Sequence, residues 1–104
     1  MRGDALRGQL DALVLATLRG RPAHGYAVIE ELKRRSDGAF DLPEGTVYPV
    51  LHRLEADGLL ASDWSTASGR RRRVYRLTNR GESALAAREV EWRAFSTAVE
   101  AVLG

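Results

Sequence analysis

Helix-stopping residues recur along this chain at short intervals and cut it into short pieces. Gly20 and Pro22 form the first break, Ser36-Asp37-Gly38 the second and Asp57-Gly58 the third. The polar stretch Ser65–Gly69 is the fourth, and Thr78 opens the last piece. Glycine and proline end helices because one reaches positive φ freely and the other lacks an amide proton. Between the breaks, Leu6, Leu10, Leu13, Val14 and Leu18 recur at helical spacing, so the first piece reads as a helix. Val28, Ile29 and Leu32 give a second helix from Gly25 to Arg35. Pro43, suited to a helix start, opens a third that runs to Ala56. Leu59–Trp64 and the alternating Arg72–Leu77 read as two strands around a small polar turn. Thr78 can N-cap a final helix reaching about Leu103, although Gly81 stands where a capping box would carry Glu.

Three helices, a β-hairpin and a closing helix are the order of a mainly α winged helix-turn-helix with a C-terminal dimerisation helix. The division expected is residues 1–78 for a DNA-binding domain and 79–104 for the dimerisation helix. A chain of 104 residues buries a limited core, and a partner subunit would add to its stability. There is no cysteine, which excludes disulfide scaffolds, thiol nucleophiles and Cys-based metal centres. The strongest apolar stretch, Leu10–Leu18, is far below the ~20 residues of a membrane span and lacks the layout of a secretory signal. A soluble cytoplasmic protein is the expectation. No Gly-rich phosphate loop, nucleophile–base motif or metal-ligand spacing is present, so no catalytic residue, metal or cofactor is expected.

The charge is unevenly placed. Residues 1–60 carry a net −1 and residues 81–104 a net −2, while residues 61–80 carry +5. Fifteen of the sixteen cations are arginine. A genome rich in G and C accounts for an arginine excess, but not for the run Arg70-Arg71-Arg72-Arg73. At a wing tip these side chains can meet phosphates or enter a minor groove. The plainer reading is a solvated charge run that blunts an edge strand. Tyr75 and Leu77 are expected to anchor the wing to the core, with Trp64 beside them.

On a helical wheel, Val47, Val50, Leu51 and Leu54 of the third helix fall on one face, which must be core. The opposite face holds Gly45, Thr46, Pro49, His52 and Arg53, with Tyr48 on the flank. Small residues let a backbone approach DNA, and polar side chains of moderate reach can read base edges. Pro49 frees the carbonyl of Gly45, which lies on the same outward face. Arg53 also reads as a solvated surface arginine, and His52 as a simple polar face residue. In the last helix Trp92, Phe95, Val99 and Val102 are spaced three, four and three, an a/d seam. It can pack on the first helix, on a symmetry mate, or on both. Trp92 also suits the wall of a pocket for a planar ligand.

Several pieces together resemble the PadR-like family of bacterial transcription regulators. They are His24-Gly25-Tyr26; Gly45-Thr46-Val47-Tyr48-Pro49 with Leu51 and Arg53-Leu54-Glu55; Asp57-Gly58-Leu59; and Tyr75-Arg76-Leu77-Thr78 with Gly81. The resemblance covers about residues 8–103, and the single C-terminal helix is similar to the smaller members. It implies a homodimer that binds double-stranded DNA at inverted repeats, usually as a repressor. It also implies that Gly25 and Tyr26 approach the DNA backbone and that a planar aromatic or drug-like effector is sensed near Trp92. The unbroken arginine run departs from many relatives. The competing reading is a winged-helix protein–protein adaptor without DNA binding.

Overall fold

The computed structural model describes residues 3–104; the side chains of residues 3–7 and 68, and with them the Leu6 position of the first apolar pattern, lie outside the described residues. The elements run α1 (Gly3–Thr17), β1 (Ala23–His24), α2 (Gly25–Arg35), α3 (Glu44–Ala56), β2 (Leu60–Ser65), a 3₁₀ turn (Ala67–Gly69), β3 (Arg72–Leu77) and α4 (Asn79–Leu103). The winged helix-turn-helix order read from the sequence is present. The expected hairpin is in fact two strands of a three-stranded antiparallel sheet ordered β1-β3-β2. The added strand is short: Ala23 pairs with Tyr75 and His24 with Val74.

Each boundary has a local cause. After α1, the amides of Leu18 and Arg19 turn back to the Leu15 and Ala16 carbonyls, and Gly20 follows at φ 89°. After α2, Asp37 takes the left-handed conformation and the Gly38 amide reaches the Lys33 carbonyl at 2.8 Å. Pro43 stands just before α3 in extended geometry rather than inside it, and its carbonyl accepts the amides of Thr46 and Val47. Thr78 caps α4, its Oγ1 accepting from the Gly81 amide at 3.0 Å and donating to the Gly58 carbonyl at 2.7 Å. A Cβ on Gly81 would stand 2.0 Å from the Leu59 carbonyl oxygen, so close packing of α4 on the entry to β2 excludes the capping-box glutamate.

One core joins all the layers. Val14, Leu15 and Leu18 of α1 and its exit turn meet Val28, Ile29 and Leu32 of α2 and the predicted quartet Val47, Val50, Leu51 and Leu54 of α3. Leu60, Tyr75 and Leu85 close it from the sheet and α4. Only Gly81 and Leu85 of α4 are buried; the later turns leave the body, and the molecule measures 54 × 28 × 25 Å. Among the described residues no helix is long and apolar enough to cross a membrane.

Candidate nucleic-acid interface

The start of α2, the outer flank of α3 and the β2–β3 tip enclose a cleft of about 760 Å³. His24, Gly25 and Tyr26 line it from α2, Tyr48 and His52 from α3, and Trp64, Tyr75 and Arg70 through Arg73 from the sheet. Four arginines stand here, and no carboxylate lines the cleft among the described residues.

The position of each wall follows from packing. Gly25 is buried because the Tyr48 ring lies against it: a Cβ there would meet ring carbons at 2.6–2.7 Å. Tyr48 in turn makes an edge contact with His52, ring centres 6.3 Å apart. Tyr75 is 2% exposed and, with partly buried Leu77, anchors the wing. Burial raises the Tyr75 phenol pKa, and the nearby Glu55 charge adds to the effect.

Trp64 departs from its expected anchoring role. It is 54% exposed, with the Arg71 guanidinium 4.4 Å and that of Arg73 5.2 Å from its ring centre. The register explains this, because Trp64 pairs across the ladder with Arg73 beyond the edge of the core. The Arg73 Nε donates to Ser62 Oγ at 2.7 Å, and Ser62 donates to Glu55. Cation–π contact and these bonds hold two wing arginines in defined positions. Arg72, one residue along, faces the other way and meets His24, with Nη1 2.7 Å from Nε2.

The remaining residues singled out on α3 lie outside this cleft. Gly45 and Pro49 are both exposed, with Pro49 inside the helix. Thr46 is half-buried. Arg53 is not a free surface arginine, because its guanidinium is paired with Asp11 of α1. Sequence reading missed His24 as part of the site and the exposure of Trp64. The α2 cap had a visible signal: His24 directly precedes a helix that begins at Gly25, and its Nδ1 accepts from the Ala27 amide at 3.2 Å.

A second concavity of about 850 Å³ runs between α1 and α4. Trp92, Phe95, Leu85 and Leu13 form its apolar wall, with Phe40 also lining it. Trp92 and Phe95 are more than half exposed, with ring centres 6.0 Å apart. Val99 and Val102 continue the row past the groove on the projecting turns. The Arg19–Glu89 ion pair at 2.5 Å pins α4 to the end of α1.

Residues 14–87 match the family described as the transcriptional regulator PadR-like family. This chain belongs to the PadR-like family. The matched span holds the core, the wing and the first turns of α4, and leaves the projecting turns outside. A PadR-family regulator from Eggerthella lenta is 37% identical with a TM-score of 0.79, covering 96% of this chain and 86% of that one. One from Clostridium difficile is 34% identical with a TM-score of 0.80, covering 91% of this chain and 98% of that one. A transcriptional regulator of Mycobacterium tuberculosis is 50% identical over 62 residues, which are 60% of this chain and 55% of that relative. The protein is therefore a transcriptional regulator of the PadR-like family.

Proposed function

We propose that this regulator is a sequence-specific DNA-binding repressor. In this reading it acts as a homodimer on an inverted repeat and is released by a planar aromatic effector. The observation that carries the reading is the cleft: four consecutive arginines and, among the described residues, no lining carboxylate beside the exposed side of α3 and the start of α2. Such a surface matches the phosphates flanking a major groove, and each neutralised phosphate releases a counterion. Gly45, Thr46, Pro49 and His52 are the α3 residues presented to the groove floor; Tyr26 and Arg70 through Arg73 take the backbone. Arg53 reaches a base only by leaving Asp11, so its first role is to brace α3 on α1.

The exposed row of Trp92, Phe95, Val99 and Val102 supports the homodimer, because a two-fold partner would cover it. The α1–α4 groove falls within the usual ~300–1,000 Å³ of small-molecule sites, and its paired rings suit a planar ligand. The deciding experiment is binding to a mixed-sequence duplex at two salt concentrations. Affinity that falls steeply with salt supports the reading. No binding at either salt would favour a protein–protein adaptor.

A further inference from the structure

The His24 ring holds two contacts that one neutral imidazole cannot satisfy together. Its Nδ1 lies 3.2 Å from the Ala27 amide nitrogen, and its Nε2 lies 2.7 Å from Arg72 Nη1. Both partners are obligatory donors, since a backbone amide and a guanidinium have no lone pair to offer. A neutral ring has one acceptor nitrogen. Protonation makes matters worse by turning both nitrogens into donors. Burial, with the adjacent Arg72 charge, lowers the His24 pKa below the ordinary histidine value, so the ring is neutral at pH 7.5. Whichever tautomer is present, one contact sets N–H against N–H.

The conflict has a remedy of definite chemistry. An anion at Arg72 gives the guanidinium an acceptor and draws it from the ring. The ring can then settle as the Nε2–H tautomer, Nδ1 accepting from Ala27 and Nε2–H free to donate. Resting on the DNA-binding reading above, we infer that His24 is a neutral phosphate donor of the cleft: it caps α2 through Nδ1 and shares one backbone phosphate with Arg72 through Nε2. Phosphate binding thereby ties the wing to the start of α2 through a single side chain. The diester is recognised by one cationic and one neutral donor, and only Arg72 contributes to counterion release.

The variants separate these roles. Asparagine is among the best N-caps but does not reach the Nε2 position. His24→Asn should therefore melt with the unsubstituted protein and bind a mixed-sequence 20-base-pair duplex roughly tenfold more weakly, the loss of a hydrogen bond to a charged group. Its salt slope should be unchanged. Arg72→Ala should lower that slope by about 0.9. In the Arg72→Ala background, His24→Asn should cost markedly less, because the two donors hold one phosphate. His24→Gln, whose amide nitrogen stands near the Nε2 position, should recover affinity relative to His24→Asn. Nitrogen-15 spectra of the ring at pH 7.5 should show the Nε2–H tautomer in the complex. Wild-type affinity in His24→Asn, additive losses in the double variant, or an Nδ1–H ring in the complex would each overturn the assignment. If the unsubstituted protein binds no duplex, the DNA-binding reading falls and this inference with it. If it binds and His24→Asn binds equally well, only this inference fails.

Discussion

At the scale of single residues, two positions fix how α3 is held against its neighbours. Gly25 lets the Tyr48 ring lie against the start of α2, with no room for a methyl group. Gly25→Ala is expected to lower stability by about 1–3 kcal/mol, as overpacking does. Tyr48→Phe should not rescue it, because the clash includes ring carbons, whereas Tyr48→Ala in the same background should recover part of the loss. Thermal melting of the set checks this. Arg53 is the second position. Its pairing with Asp11 makes it a strut between α3 and α1 before it is anything else. Arg53→Ala and Asp11→Ala should each lower the melting temperature, and a double-mutant cycle should give a coupling of up to about 1 kcal/mol. Additive losses would show that the pair contributes nothing jointly. The sequence put Arg53 on the outward face, which the wheel supports only in part. The partner that claims it is 42 positions away, and no spacing rule reaches that far.

At the scale of elements, local chemistry made most boundaries legible. The end of α2 follows from Ser36-Asp37-Gly38, and β3 from inward Tyr75 and Leu77 on either side of exposed Arg76, because both signals lie at or inside the element they limit. β1 had no such signal. Two residues have no period, and Ala23–His24 is a strand only because β3 offers it an edge. The outward turn of Trp64 was hidden for the same reason, since alternation gives a face but not where the core ends. The last turn of α2 supplies a pH test. Glu31 is clasped by Arg34 and Arg35, and these hydrogen bonds lower its pKa from 4.5 to about 2. A depressed carboxylate pKa contributes stability that is complete above 4.5 and is lost as pH falls toward about 2. Carboxyl carbon shifts should therefore give Glu31 a midpoint near 2, and Arg34→Ala should move it upward. The stability at stake is small, because the group is exposed to solvent and salt.

At the scale of the whole molecule, the charge and the apolar surface stand at different places, and their separation can be tested. The cationic cleft belongs to the wing and α2, while the exposed apolar row belongs to α4 beyond Leu85. Most helical stability in proteins comes from packing an apolar face, so the projecting turns call for a partner surface. If that partner is a second copy, light scattering gives twice the chain mass of 11.5 kDa. Phe95→Asp should return the monomer, because a carboxylate would be buried in the seam without a counter-charge. Its DNA affinity should fall as well, since two linked clefts act on one duplex at a high effective concentration. The slope of log affinity against log salt, counted per protomer, should stay nearly the same, because each cleft keeps its arginines. Arg71→Ala with Arg73→Ala should do the reverse. The mass should remain that of the dimer, while affinity falls equally for every sequence and the slope drops by about 0.9 for each phosphate the wing no longer neutralises. The two variants thus move different observables. A monomeric unsubstituted protein would remove the seam. An unchanged slope in the double arginine variant would remove Arg71 and Arg73 from the DNA and leave the rest of the wing, α3 and the start of α2 to hold it.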